Sequence, residues 1–352
     1  MISTPFVAVP PRDYGGTELV IHELVEGLVA AGHDVTLFAT GDSLTSAELR
    51  AFYPEAKWPP EPFIDLNHIS WAMHQAAAEP FDVVHVHAAC ALAIARMTPD
   101  LPVVYTLHHA RDPRLSAFYE HFPEVQFVAI SADQRRRAPE IAHCRVIHHG
   151  LDGSRYGATD RPDDYVCFVG RFAREKGLHN AIDAAAAAGV PIRVAGSVHP
   201  PDRPYAESCL TERLAAPGVT LLGPVGMTAK TGLLREARAL LAPIEWDEPF
   251  GLIMVEAMLS GCPVVAFPRG SVPELVEPGI TGFVVDSIDA MADAIAPGGA
   301  VDRIDRLRCR ARAVRRFSRA RLVEEYERCY AQVAAGSDRT PNRPGRRPST
   351  AA

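Results

Sequence analysis

Short β-branched runs alternate with amphipathic stretches along the first 150 residues, stop, and then begin again. The first set comprises DVTLFA at 34–39, VVHVH at 83–87, VVYTL at 103–107, FVAI at 127–130 and RVIH at 145–148. Among the intervening stretches, TELVIHELVEGLVAA at 17–31 brings Leu24, Val25, Leu28 and Val29 to one face at helical spacing, and Gly32 supplies the residue that closes such a helix. Nearly continuous apolar strands joined by helices imply a parallel sheet covered on both faces, so the first set predicts a Rossmann-like half. YVCFV at 165–169, IRVA at 192–195, VTLL at 219–222, ALLA at 239–242 and VVAF at 264–267 predict a second. GLDGSRYGATDRPDD at 150–164, rich in Gly, Asp and Pro, reads as the linker. The expectation is an α/β protein of two similar domains, 1–152 and 163–317, with a cleft between them.

At 352 residues, 47% hydrophobic and 22% charged, the chain suits two ordinary cores better than one oversized one. No run approaches the roughly eighteen apolar residues of a spanning helix, and no basic stretch leads into an apolar block at the N-terminus, which predicts a cytoplasmic protein. Seven cysteines without a Cys-x-x-Cys pair indicate neither a zinc site nor a disulfide framework. The net charge is −7, and residues 1–150 hold 10 Lys and Arg against 18 Asp and Glu, so nucleic acid is not an expected partner and stable membrane association is disfavoured. After Pro297 the chain turns Arg-rich, with Ile304, Leu307, Ala311, Val314, Leu322 and Tyr326 at roughly helical spacing. That stretch reads as a long amphipathic helix with a solvated basic face, or else as a docking surface for an acidic partner. Residues 336–352 read as a disordered tail. MISTP is a very short first strand, which points to a few residues missing upstream.

Two acids in EWDEPFGLIMVEAMLSGCPVVAF at 245–267 carry the strongest chemical signal. Pro249 and Gly251 mark a turn into a helix beginning near Phe250 to Leu252, whose free N–H groups favour an anion, and Glu248 stands beside that position. Glu256 lies inside the apolar helix, where an unpaired carboxylate costs several kcal/mol. It needs a partner, either a cis-diol of the kind acidic residues bind in ribose or a structural salt bridge. VGRFAREKGL at 169–178 sets Gly170, Arg171 and Lys176 after a strand, two cations suited to a diphosphate, although a solvated surface pair has the same pattern. Gly15 and Gly16, in YGGTE at 14–18, permit close approach of a phosphate. The motif is not G-x-G-x-x-G, which argues against a nicotinamide or flavin enzyme. Histidines fall at strand ends, and the carboxyl ends of strands line the ligand crevice in such sheets, so His87, His108 and His109 are expected to face one cleft. No flanking Asp, Glu or Cys completes a ligand set and there is no Asp-x-Asp, so no metal cofactor is expected.

With these residues assembled, the chain resembles the retaining nucleotide-sugar glycosyltransferases of family 4 over roughly residues 1–333. The carriers are Glu-x7-Glu at Glu248 and Glu256, G-R-x-x-x-E-K-G at 170–177, and SGCPVVAF, PELV and TGFVVD between 260 and 286. The resemblance implies a GT-B architecture, in which two Rossmann-like domains face a central cleft and a helix at 318–333 returns to the first. It implies that 1–152 binds the acceptor and 163–317 the donor. By position, Glu256 would hold the ribose diol and Glu248 the donor sugar, with backbone amides from Phe250, Gly251 and Leu252. Arg171 and Lys176 would clamp the diphosphate, Gly15 and Gly16 would lie under it, His108 would stand near the reacting sugar carbon, and Pro224 and Val225 would support the base. The implied catalytic set is His108, Glu248, Arg171 and Lys176.

The activity so implied is transfer of a hexose, with retention, from a nucleotide-diphosphate sugar to an acceptor hydroxyl, UDP-glucose being the favoured donor and metal not being required. No carboxylate nucleophile is identifiable, in keeping with same-face attack in which the departing phosphate takes the acceptor proton. Some relatives carry a basic membrane surface on the first domain, whereas here only RRR at 135–137 is strongly basic, so lipid acceptors are less favoured. Two rivals are a nucleotide-sugar epimerase of the same fold and a nucleotide-sugar binding protein without turnover. Intact His108, Arg171, Lys176 and Glu248 argue against the second.

Overall fold

The structure, a computed structural model, describes residues 1–13 and 15–337. Its strands are all parallel. In the first unit β1 (Thr36–Phe38) pairs with β2 (Glu48–Arg50), while β3 (Val84–Val86), β4 (Val103–Leu107), β5 (Gln126–Ala129) and β6 (Cys144–Val146) lie in that order. Ile2, fully buried, joins the two groups by bridging Phe38 on one side and Val86 on the other. The short first strand expected from MISTP is thus a single bridging residue. With Ile2 counted as a strand, the chain order reverses between it and β3, the switch point of a doubly wound sheet.

The second unit repeats the arrangement. β7 (Val166–Val169), β8 (Ile192–Ala195), β9 (Val219–Gly223), β10 (Leu240–Ala242), β11 (Val264–Ala266) and β12 (Gly282–Val284) form a six-stranded sheet of order β12-β11-β10-β7-β8-β9, so its switch point lies between β7 and β10. β10 and β11 are buried at every position, as helix-covered strands must be. Two strands had no counterpart in the sequence pattern. Glu48–Arg50 is a charged edge strand, and Gly282–Val284 follows directly on a turn. Gly282 is required there, because a Cβ would stand 1.9 Å from the Val264 carbonyl oxygen.

Six helices position the chemistry: α1 (Gly16–Ala30), α2 (Leu178–Ala187), α3 (Met227–Glu236), α4 (Leu252–Leu259), α5 (Arg306–Phe317) and α6 (Arg319–Ser337). The Arg-rich region is therefore two helices rather than one, broken at Ser318, whose ψ of 151° is extended. α6 returns to pack on α1 and β4, where Leu322 and Tyr326 join Leu24, Leu28, Val104 and Val128 in one core. Arg303, Arg308, Arg315 and Arg328 are exposed, as a solvated basic face requires, but other basic side chains turn inward. Arg306 donates to the carbonyls of Thr159, Ala237 and Arg235, Arg310 to those of Gly153, Tyr156 and Leu259, and Arg321 to those of His148 and His149. The loop carbonyls at the crossings lack ladder partners, and long guanidinium side chains supply them. α6 also carries helix to Ser337, two residues into the expected tail, and the remainder of that tail, 338–352, lies outside the described residues.

The linker is ordered where it leaves the first unit. Leu151 and Ser318 form a parallel bridge, with Leu151 N–H donating to Phe317 O at 2.9 Å and Arg319 N–H to Leu151 O at 2.9 Å. The outward and return crossings are zipped together. Gly150 permits this, since a Cβ would lie 2.3 Å from Ser318 O. Beneath the zipper Glu23 of α1, with no exposed surface, accepts from Arg319 Nε at 2.5 Å and Asp152 N–H at 2.9 Å, and pairs with Arg155 at 3.4 Å. The seven cysteines are free, and among the described residues no helix is long and apolar enough to cross a membrane. Glu23→Gln takes from Arg155 its charge partner and leaves Arg319 only Asp152, at 3.6 Å, and is expected to cost about 3 kcal/mol, read as a thermal midpoint several degrees lower. An unchanged midpoint would show that the crossings hold without it.

Candidate functional site

Loops from the two strands that flank the second switch point meet. From β7 the chain runs through Gly170 and a short 3-10 turn, Arg174–Lys176, to Gly177, which is left-handed (φ 73°) and abuts Pro243 O so closely that a Cβ would stand 1.9 Å away. From β10 it runs through Pro243 to Glu248. Glu245 N–H donates to Glu175 O at 2.9 Å, and Lys176 Nζ reaches Glu248 Oε2 at 2.5 Å. Trp246 completes the cluster, donating Nε1–H to the same oxygen at 2.9 Å and lying with its ring 4.7 Å beneath the Lys176 ammonium. Glu248 is buried, and two donors together satisfy the charge that burial would otherwise leave exposed.

Directly after this cluster comes the start of α4. Gly251 precedes it in a left-handed conformation (φ 88°), and no side chain caps the helix, so its first-turn amides keep their partial positive charge for an incoming anion. Leu252 faces the first unit, where a Cβ on Gly16 would stand 3.4 Å from Leu252 Cδ1. Phe250 is a packing residue of this junction. Its buried ring packs on His149 at 4.9 Å and Phe317 at 6.1 Å, and its carbonyl accepts from Ser271 Oγ at 2.6 Å.

Glu256 is not left seeking a partner. Lys230 of α3 places Nζ 2.6 Å from Oε1, and Tyr156 of the linker donates its hydroxyl to the same oxygen at 3.1 Å. The structural salt bridge, one of the two partners expected for this position, exists. Pro224, exposed, and Val225, packed against the core, lie between β9 and α3. Arg171 does not join Lys176. It pairs with Glu175, its neighbour one turn on, and with Asp202 at 3.3 Å. Lys230, Tyr156, Trp246 and Asp202 had no sequence signal of their own. Trp246 stood within the quoted stretch, whereas Lys230 lies in the polar helix MTAKTGLLRE, where a lysine is unremarked.

The first unit contributes the opposite wall. Gly15 and Gly16 follow the first switch point, anchored by Thr4 Oγ1, which donates to buried Glu18 at 3.2 Å. Histidines at the ends of β3 and β4 form a stack: His85 lies 4.2 Å from His87, His87 5.0 Å from His108, and His108 5.6 Å from His149, which meets Phe250. His109 is not part of that wall. Its Nε2 bonds the Tyr119 hydroxyl at 2.8 Å inside the first unit, because buried Tyr105 and Tyr119 offer a polar handle there. His87 and His108 are joined, Nδ1 to Nε2, at 2.8 Å. His87 Nε2 faces Met1 Sδ at 3.0 Å, and a thioether only accepts, so Nε2 carries the His87 proton. His87 Nδ1 is then the acceptor, His108 donates from Nε2, and His108 Nδ1 keeps its lone pair. Burial pushes His108 down to about 3 and holds His85, His87 and His149 well below the ordinary imidazole range. The basic triplet is also spoken for: Arg136 and Arg137 pair with Asp133, and Arg137 crosses to Asp247 at 2.7 Å.

Comparison with known proteins places this geometry in context. Residues 14–155 match the model of Glycosyltransferase Family 4 and residues 157–297 that of Glycosyl transferases group 1. The glycogen synthase of Mycobacterium tuberculosis H37Rv is 27% identical over 377 residues, covering 90% of this chain and 89% of that protein. The fold is similar to that of sucrose-phosphate synthase from Thermosynechococcus elongatus, with a TM-score of 0.80 at 22% identity over 95% of this chain and 98% of that one. It is similar as well to Anabaena HepE in complex with UDP and glucose, with a TM-score of 0.73 at 19% identity over 94% and 98%.

The buried histidines have a measurable consequence. In the unfolded chain each takes up a proton below about pH 6.5, while in the fold all four remain neutral, so the unfolded state binds more protons and stability falls as pH drops. Urea unfolding at pH 6.5 and pH 5.0 is expected to differ by more than the ~2 kcal/mol that one such histidine supplies over that interval. Equal stabilities at the two values would contradict neutral, buried imidazoles.

Proposed function

Because the chain belongs to glycosyltransferase family 4 and is a glycosyltransferase, we propose that it moves a hexose from a nucleotide-diphosphate sugar to an acceptor hydroxyl with retention of configuration. The observation that carries this reading is the meeting of Lys176, Glu248 and the uncapped start of α4 at the switch point of the second sheet. Such a site stabilises charge that grows on a leaving diphosphate. UDP-glucose is the donor we favour, since a protein of similar fold holds UDP and glucose.

In this reading the second unit, residues 163–317, binds the donor and the first, 1–152, the acceptor. The diphosphate lies across the first turn of α4, between the amides near Leu252 and the Gly15–Gly16 loop. Lys176 exchanges part of its hold on Glu248 for a phosphate oxygen, and Glu248, so released, accepts from the donor sugar. Arg171 reaches the diphosphate by giving up Asp202 or Glu175. His108, neutral and with a free Nδ1 lone pair, meets the sugar from the opposite wall. As the bond from the anomeric carbon to the phosphate oxygen breaks, its electron pair stays on that oxygen. The acceptor oxygen bonds the same face of the carbon, and its proton passes to the departing phosphate. No protein carboxylate forms a covalent bond in this scheme, and no divalent ion is required.

The test is release of nucleoside diphosphate, preceded by calorimetry against UDP, GDP and ADP to choose the donor. Release that requires an acceptor supports transfer, release without one would indicate hydrolysis, and binding with no release would indicate a carrier protein. Lys176→Ala is expected to lower kcat by about a hundred-fold or more while weakening donor binding far less, because its charge matters most as the phosphate leaves. An equal loss in both would assign it to ground-state binding instead. Activity is expected to survive EDTA, and loss on chelation restored by a divalent ion would overturn the metal-free scheme.

A further inference from the structure

We propose that Trp58 is a platform for the acceptor, stacking a neutral sugar ring at the mouth of the cleft. The proposal rests on the transferase reading above and adds the chemical class of the acceptor, a saccharide without phosphate groups. Trp58 lies in AFYPEAKWPPE, residues 51–61, the segment that follows β2. Tryptophan is on average well buried in folded proteins, yet this one is 59% exposed. Its ring nevertheless reaches the second unit, where it meets His199 edge to face with centroids 5.9 Å apart.

The backbone around Trp58 is pinned to loops that leave the carboxyl ends of the first sheet. Lys57 N–H donates to Pro5 O at 2.9 Å, in the loop after Ile2, and Gly41 N–H, beyond β1, donates to Tyr53 O at 2.9 Å. Gly41 lies so near the segment that a Cβ would stand 2.8 Å from Pro54 O. Pro54, Pro59 and Pro60 each fix one backbone torsion. On the other side, His199 belongs to the loop that leaves β8, and its carbonyl accepts from Asp202 N–H at 2.9 Å. Asp202 in turn pairs with Arg171 at 3.3 Å. The indole is therefore carried by the first unit but borders the loops expected to hold the donor.

A packing role alone would bury the ring, and a surface for a membrane or a protein would not call for a contact across the cleft. A pyranose matches both observations. Its flat face of C–H groups lies against the electron-rich face of an indole, while the hydroxyls at its rim keep water or polar partners. Local charge favours a neutral sugar. The loop at 3–13 and the segment at 51–61 carry the cations Arg12 and Lys57, and both have acidic partners, Asp42 at 3.9 Å and Glu55 at 3.7 Å. Glu55 is 73% exposed. A phosphate here would have to break one of these pairs and face that carboxylate, whereas a sugar hydroxyl donates to it.

The experiment is a titration without nucleotide, read by tryptophan fluorescence and saturation-transfer NMR, on wild type, Trp58→Ala and Trp58→Tyr, with circular dichroism to show that each is folded. The probes are the methyl glycosides of glucose, galactose, mannose and N-acetylglucosamine, then maltose and cellobiose, with glycerol 3-phosphate as the anionic comparison. At least one neutral sugar is expected to change the emission of wild type and to receive saturation at its ring C–H protons. Trp58→Ala should weaken that sugar by about ten-fold or more, and Trp58→Tyr, which keeps an aromatic face, by less. In turnover with the same sugar, Trp58→Ala should raise the acceptor KM by a similar factor and move the donor KM by less than about two-fold. Binding of none of the neutral sugars, equal binding by Trp58→Ala, or a preference for glycerol 3-phosphate over every sugar would each overturn the proposal. Because no nucleotide is present, the result is separate from the release assay. Sugar binding that depends on Trp58, with no nucleoside diphosphate released from any donor, would overturn the transferase reading and leave the sugar site standing.

Discussion

A carboxylate without exposed surface lies under the point where the chain crosses between its two sheets. Glu23 belongs to the first helix, yet the groups it binds come from the outgoing crossing, through Asp152 and Arg155, and from the returning one, through Arg319. Leaving such a charge buried is tolerable only when all of these donors arrive together. The bridge between Leu151 and Ser318 and the approach of α6 to Gly27 are thereby tied to one electrostatic centre. Everything that faces across the cleft, from Gly16 against Leu252 to His149 against Phe250, inherits its register from that crossing.

Both walls of the cleft obey one topological rule. In each sheet the strand order reverses beside the first strand, and the loops that leave the carboxyl ends at that reversal diverge to opposite faces and open a crevice. In the second sheet the crevice holds Lys176, Glu248 and Trp246, and in the first it holds the glycine loop and His87 with His108. The charges in the second crevice are paired with one another, which keeps each of them compensated where water is largely excluded. Each cation in the pair Arg171 and Lys176 is held by acids, so any anion that bound there would exchange partners rather than fill an empty site.

Periodicity revealed both sheets, because buried parallel strands are apolar throughout and helices between them are not. It missed Glu48–Arg50, whose charges suit an edge, and it merged α5 with α6, because an apolar spacing can continue across a single extended residue at Ser318. Glu248 and Glu256 were legible as acids out of place. Their partners were not, because Lys230 and Trp246 obey local preferences and reveal themselves only through distance. The histidines show the same limit. Position at strand ends grouped His87, His108 and His109, but the phenol of Tyr119 turns His109 away, and no periodicity encodes that contact.

The return of α6 also fixes the order in which the molecule can be completed. A ribosome delivers α1 and every strand of the first sheet early, yet Leu24, Leu28, Val104 and Val128 are covered by Leu322, Val323 and Tyr326 only after the whole second unit has been made. Until then the first unit carries an uncovered apolar face, the kind of surface that recruits chaperones or aggregates. A chain interrupted before Arg319 would hold all the candidate catalytic residues and still lack the helix that lets its first half finish folding.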